Sequence, residues 1–170
     1  FILDTLSWEV SYKQQMRDWI GTIAYSPDNK TIAIGGDGNV SILNTPLDSK
    51  PTVLKVLTVD GWVGPITYSP NNKYIAIGGD GKVSIFDACT FKIINEFTQK
   101  RRVFAIAFSP NSQFIVVGGL NKRVVLLESS TWRVLEKYDV KATVRVITYT
   151  PDGKYVAVGG DDKTLLFLDP

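Results

Sequence analysis

Ile66-Thr67-Tyr68-Ser69-Pro70-Asn71-Asn72-Lys73-Tyr74-Ile75-Ala76-Ile77-Gly78-Gly79-Asp80-Gly81-Lys82-Val83-Ser84-Ile85-Phe86-Asp87 contains three short apolar runs, parted by Pro-Asn-Asn-Lys and by Gly-Gly-Asp-Gly. The runs are rich in β-branched and aromatic residues and too often interrupted for helices, so each reads as a β-strand. Pro70 presets φ for a tight turn, and the asparagines after it tolerate positive φ. Asp80-Gly81 is a hairpin signal between the second and third runs.

The same pattern recurs along the chain. Ile23-Ala-Tyr-Ser-Pro27, Ile106-Ala-Phe-Ser-Pro110 and Ile147-Thr-Tyr-Thr-Pro151 match the first run, and the prolines stand 43, 40 and 41 residues apart. Ile32-Ala-Ile-Gly-Gly36, Ile115-Val-Val-Gly-Gly119 and Val156-Ala-Val-Gly-Gly160 match the second, and Val40-Ser-Ile-Leu-Asn44, Val124-Val-Leu-Leu-Glu128 and Leu165-Leu-Phe-Leu-Asp169 the third. A more polar fourth run closes the unit in Thr52–Leu57, Phe91–Phe97 and Trp132–Tyr138. Four antiparallel strands repeating at this period make a propeller blade. The expected fold is therefore all-β: a β-propeller of four-stranded antiparallel blades, about four of them present.

These repeats resemble the Trp-Asp-repeat (WD-repeat) propeller family over essentially the whole chain. That pattern places Gly-His before the first strand, Ser or Thr in the second and Trp-Asp at the end of the third. Here the Trp positions hold Leu43, Phe86, Leu127 and Leu168, the second-strand hydroxyl positions hold Ile34, Ile77, Val117 and Val158, and histidine is absent. The family's buried polar network is thus removed as a unit, which is coherent because a half-satisfied buried network is worse than none.

The expected division is the end of a preceding blade over 1–18, blades over 19–61, 62–101 and 102–142, and a blade lacking its outer strand over 143–170. Phe1–Asp4 and Trp8–Tyr12 match a third and a fourth strand. Propellers have four to eight blades and this family most often seven. The chain therefore reads first as a segment of a longer propeller, and next as a half-ring that pairs with a copy of itself, residues 8–14 supplying a neighbour's outer strand. A closed four-bladed ring is the third reading.

Composition narrows the function. A formal charge of +2 creates no bulk field for nucleic acid or an anionic membrane. Cys89 is the only cysteine, which excludes an internal disulfide and a cysteine-rich metal site and fits a reducing, intracellular compartment, cytoplasmic or nuclear. Without histidine, Ser-His or Cys-His catalysis and His-based metal chemistry are excluded within the chain. No apolar run reaches the roughly 18–20 residues of a membrane-spanning helix. No catalytic residue, metal site or cofactor is expected. The paired glycines close a strand in every repeat and precede no helix, so they read as structural rather than as a phosphate cradle. Asp37, Asp80, Asp161 and Asp162 read as hairpin-turn residues, not as a calcium site.

The resemblance places the rim of the ring just before each first strand, eight and six positions ahead of the repeated proline. The outer positions are Trp19, Trp62, Arg102 and Thr143, and the inner ones Gly21, Gly64, Phe104 and Arg145. Trp and Arg combine large area with directional polar groups, as interface anchors do. Arg101 joins them through Lys100-Arg101-Arg102, to which Lys141 and Arg145 of the next blade could add. The expected binding rim is Trp19, Trp62, Arg101, Arg102, Phe104 and Arg145. The implied function is a non-catalytic interaction scaffold, binding proteins or peptides in a multi-subunit complex, with the ring completed by further sequence or a second copy. The alternative is RNA or phosphate binding at Arg101, Arg102 and Arg145, which the modest net charge makes the lesser expectation.

Overall fold

The computed structural model describes residues 2–3, 10–13, 15–16, 19–46 and 50–170, and every regular element among them is a strand. β1 (Ile2–Leu3) pairs antiparallel with β2 (Val10–Tyr12). The third- and fourth-strand match at the start of the chain is present to this extent. Asp4 and Trp8 lie outside the described residues.

Seven strands then form one antiparallel sheet: β3 (Thr22–Tyr25), β4 (Thr31–Gly35), β5 (Asp37–Asn44), β6 (Val53–Tyr68), β7 (Tyr74–Gly79), β8 (Lys82–Asp87) and β9 (Ile93–Thr98). A four-stranded sheet follows from β10 (Val103–Phe108), β11 (Phe114–Gly119), β12 (Arg123–Glu128) and β13 (Val134–Asp139). A three-stranded one follows from β14 (Val144–Tyr149), β15 (Val156–Gly160) and β16 (Leu165–Leu168). The chain is a partial β-propeller.

One feature departs from the expected division. The boundary at 61–62 falls inside β6, a continuous 16-residue strand. Its first half pairs with β5 and its second with β7, with register shifts between Asp37 and Asn39 and between Val63 and Ile66 and with Gly61 at φ 75°. The next two repeats are joined instead by loops, at 99–102 and 140–143.

The Ser-Pro turns are held by a recurring hydrogen-bond motif. The Ser69 hydroxyl donates to Asn71 Oδ1 at 2.7 Å and accepts from the Tyr74 amide at 2.9 Å. Ser26 does the same with Asp28 and Thr31, Ser109 with Asn111 and Phe114, and Thr150 with Asp152 and Tyr155. The buried hydroxyl thus satisfies a backbone donor that the turn would otherwise orphan.

The core lies between neighbouring repeats. Ala33, Val40, Ile42 and Leu57 of the first repeat pack against Val63, Ile66, Tyr68, Ile75, Ile77 and Phe86 of the second, and the pattern is repeated at the next two interfaces. Leu43, Phe86 and Leu127 are buried where the WD pattern has Trp, as are Ile77, Val117 and Val158 in the place of its hydroxyls. The polar network has been replaced by packed apolar side chains. The first glycine of each of the first three pairs admits the next repeat: a Cβ on Gly118 would sit 2.6 Å from Val144 Cγ1 and 2.8 Å from Ile147 Cδ1. The second admits the rim backbone, the carbonyl of Arg102 lying where a Gly119 side chain would be.

At the two ends of the array the same faces are open. Ile23 is 55% exposed where its counterpart Ile66 is 7%, and Leu165 is 66% exposed where Val124 is 1%.

Candidate interaction rim

Trp62 lies on β6, and its indole folds back over Gly64, where a Cβ would meet the ring at 2.6 Å. Arg102 immediately precedes β10, and Phe104 is its second residue. Arg145 is the second residue of β14. Because the inner strands stand side by side around the array, these positions from three repeats converge.

They form a continuous stack. The Arg102 guanidinium carbon lies 5.5 Å from the Trp62 ring centre. Trp62 meets Phe104 edge to face, with centroids 5.9 Å apart and planes at 70°. Arg145 caps Phe104 at 4.7 Å. Cation–π contacts of this kind contribute roughly 0.5–1 kcal/mol each at exposed sites.

Each end of the stack is tied to a carboxylate. Arg102 Nε donates to Asp80 Oδ1 at 2.5 Å, and the Trp62 amide donates to Asp80 Oδ2 at 3.3 Å. Arg145 is bidentate, Nε to Asp161 Oδ1 at 2.7 Å and Nη2 to Oδ2 at 2.9 Å, a geometry that fixes the plane of the guanidinium. The hydrogen bond from Arg102 holds the Asp80 carboxyl below its ordinary value, and that from Arg145 does the same for Asp161. The Asp161 carboxylate in turn raises Arg145. Both arginines therefore spend their charge within the chain.

Beside the stack runs an open groove of about 310 Å³, lined by Gly21, Thr22, Trp62, Val63, Gly64, Pro65 and Phe104. No charged side chain is among the described residues that line it, and Thr22 carries the one hydroxyl among them.

Of the six expected rim residues, Trp62, Arg102, Phe104 and Arg145 come together. Trp19 is 58% exposed and folds over Gly21, but no ring contact among the described residues ties it to the stack. Arg101 is exposed and has no ion pair among the described residues, as is true of Lys100 and Lys141. Sequence reasoning missed Asp80 and Asp161, which it read only as turn residues. Each immediately follows a Gly-Gly pair. The second glycine lies against the rim backbone, at 2.9 Å from the Trp62 carbonyl for a Cβ on Gly79, so an acidic residue one step on falls beside the rim cations.

Among the described residues no group of three or more acidic or cysteine side chains is placed to hold a metal ion, and no helix is long and apolar enough to cross a membrane. Cys89 is an exposed free thiol.

Comparison with known families gives two matches. Residues 10–44 match the WD domain, G-beta repeat, and residues 38–160 match the family Eukaryotic translation initiation factor eIF2A. A search of curated proteins gives no match. The second match covers most of the chain, including Trp62, Asp80, Arg102, Phe104 and Arg145. With the propeller architecture and the WD-type repeats, it establishes that the chain belongs to the eukaryotic translation initiation factor eIF2A family and carries the WD-repeat β-propeller fold.

Proposed function

We propose that the chain is a non-catalytic interaction module whose rim docks proteins or peptides within a larger intracellular assembly, in the translation-initiation setting that the family's name gives. The observation that carries this reading is the stack itself. Four large side chains from three repeats are held in one arrangement by two carboxylates, beside an uncharged groove. A surface already ordered before binding loses little side-chain freedom on contact, which favours its use as an anchor site. WD-repeat proteins are generally non-catalytic, in keeping with an interaction role. The division into blades, with the seven-stranded sheet counted as two, is part of the same proposal. The open end faces, with Ile23 and Tyr25 on one and Leu165 and Phe167 on the other, carry the pattern of the internal interfaces and support completion of the ring by further blade sequence or a second copy.

The test is site-specific photo-cross-linking. A benzophenone side chain replaces Asp60, two residues from Trp62 and 93% exposed, or Arg133 just ahead of β13 as the control. In a translating extract the rim reading expects a protein adduct from position 60, lost with Trp62→Ala, and none from position 133. Adducts at position 60 that ribonuclease removes, and that Lys100→Glu with Arg101→Glu abolishes, would favour the nucleic-acid reading instead. Equal labelling from both positions would reject a rim site.

A further inference from the structure

We infer that the rim groove selects one class of partner: a peptide that lays an uncharged apolar side chain in the groove alongside Trp62 and Phe104 and carries acidic residues beside that anchor. This rests on the rim reading above and deepens it.

The groove excludes charge from the ligand's anchoring group. Its lining is Trp62, Phe104, Val63, Pro65, two glycines and Thr22. A charged or strongly polar group lodged there would lose hydration and find one hydroxyl in return. The volume of about 310 Å³ admits a leucine or an aromatic side chain. Gly21 and Gly64 keep it open, since a side chain at either position would run into a tryptophan ring.

The flank asks for the opposite chemistry. Arg102 and Arg145 border the stack but are neutralised by Asp80 and Asp161. Their guanidiniums also cover one face each of Trp62 and Phe104. Among the described residues the cations left for a ligand at this loop are Lys100 and Arg101, just before Arg102, since Lys141 already faces the Asp162 carboxylate. The Lys100–Arg101 backbone is anchored there, packed against the Gly81 turn. A partner's carboxylates would meet these side chains while its anchor fills the groove.

The same features weigh against single-stranded RNA. A base stacked on these rings would compete with guanidiniums that carboxylates hold in place, and its polar edges would face an apolar lining.

The probe is a fluorescein-labelled decapeptide with two central leucines between acidic residues, titrated into the full chain with anisotropy as the readout. Controls replace the leucines with alanine, or the acidic residues with lysine, and a ten-nucleotide oligouridine is run in parallel. The inference expects saturable binding of the acidic leucine peptide, weakened about tenfold or more by either peptide change. Trp62→Ala, or Phe104→Ala, should abolish it, and Lys100→Glu with Arg101→Glu should weaken it several-fold. Because Trp62→Ala or Phe104→Ala could disturb folding, hydrogen exchange of the unaltered chain supplies a second readout, with protection by the peptide expected over 62–65 and 104. Equal binding of the alanine or lysine peptide overturns the inference, as does protection confined elsewhere. Preferential, Trp62-dependent binding of the oligouridine overturns it in favour of nucleic acid. Should no peptide bind while position 60 still cross-links a protein, this inference fails and the rim reading stands. Should position 60 cross-link nothing, the rim reading itself fails.

Discussion

Gly118→Ala tests whether the paired glycines exist to let one repeat seat against the next. The added Cβ would lie 2.6 Å from Val144 Cγ1, 2.8 Å from Ile147 Cδ1 and 2.9 Å from Val144 Cβ. Ordinary carbon contacts begin near 3.5 Å, so the closest is short by about 0.9 Å. Val144 is buried and β-branched, and a rotation about its χ1 leaves its own Cβ in the way. The β14 strand must therefore move away from β11. Overpacking of this kind costs about 1–3 kcal/mol. Alanine stiffens the unfolded chain relative to glycine, which returns about 0.4–1 kcal/mol because Gly118 is not among the positive-φ residues. The net expectation is a loss of about 1–2 kcal/mol, read as a lower urea midpoint at unchanged slope. The double variant with Val144→Ala supplies the decisive comparison. Val144→Ala alone leaves a void and destabilises, but it also removes the nearest clash, so the double variant should lose less than the two single losses added together. Strict additivity, or a Gly118→Ala protein as stable as its parent, would refute the reasoning.

Three further outcomes follow from other sites. Tyr149 has a buried hydroxyl with no hydrogen-bond partner among the described residues, and burial pushes its ionisation above the ordinary tyrosine value, whereas its counterpart Tyr68 meets Thr31 at 3.1 Å. Tyr149→Phe should therefore raise stability at neutral pH by about 1 kcal/mol and, because a raised tyrosine pKa makes folding weaken as pH climbs past the unfolded value near 10, should also lessen alkaline unfolding in a urea series. Val117→Thr restores a hydroxyl to a position of the lost polar network without its partners, and should destabilise by about 1–3 kcal/mol in thermal unfolding. Asp80 and Asp161 are held below their ordinary values, so the ties they make persist above about pH 4 and are lost as pH falls through the lowered values; the chemical shifts of the Arg102 and Arg145 side-chain Nε–H groups should change in that acid window and stay constant between pH 5 and 8.

The repeat unit was legible because its signals are local. Pro70 with Asn71 and Asn72, the Gly78-Gly79 pair and Asp80-Gly81 each specify backbone geometry from a few adjacent residues, and the observed strands β7 and β8 fall where those signals place them. The hydroxyls before the prolines were less legible, since a buried serine bonding an amide five residues on looks like any turn serine in sequence. The continuity of β6 was hidden for a different reason: Asp60-Gly61 reads as a stop, and only pairing of Asp37 with Trp62 carries the strand through it. At the rim, register against the proline found Trp62, Arg102, Phe104 and Arg145, because each occupies a fixed position in the repeat. It could not separate Trp19 and Arg101 from them, nor supply Asp80 and Asp161. Those distinctions depend on which side chains of different repeats meet, and the Arg102–Asp80 tie spans two repeats whereas Arg145–Asp161 lies within one.

The 16-residue strand β6 gives the first two repeats a common fate. Elsewhere along the array a loop could open as a hinge while the sheets on either side keep their hydrogen bonds. Between β5 and β7 there is no such joint, because the same backbone is edge to one repeat and inner strand to the other. Bending at Gly61 would break the Asp37–Trp62 pair that ties the second half of the strand to β5. Residues 22–98 should therefore exchange their protected amides as one cooperative block, distinct from the four-stranded sheet that follows. Trp62 rides on that block while Arg102 and Phe104 ride on its neighbour, so any slight opening between the two would pull the stack apart at the Trp62–Phe104 contact and part Arg102 from Asp80, while the Arg145–Asp161 pair stays whole within its own repeat. Disengagement of the rim would then begin as a hinge movement between folded blocks, with no strand unfolding.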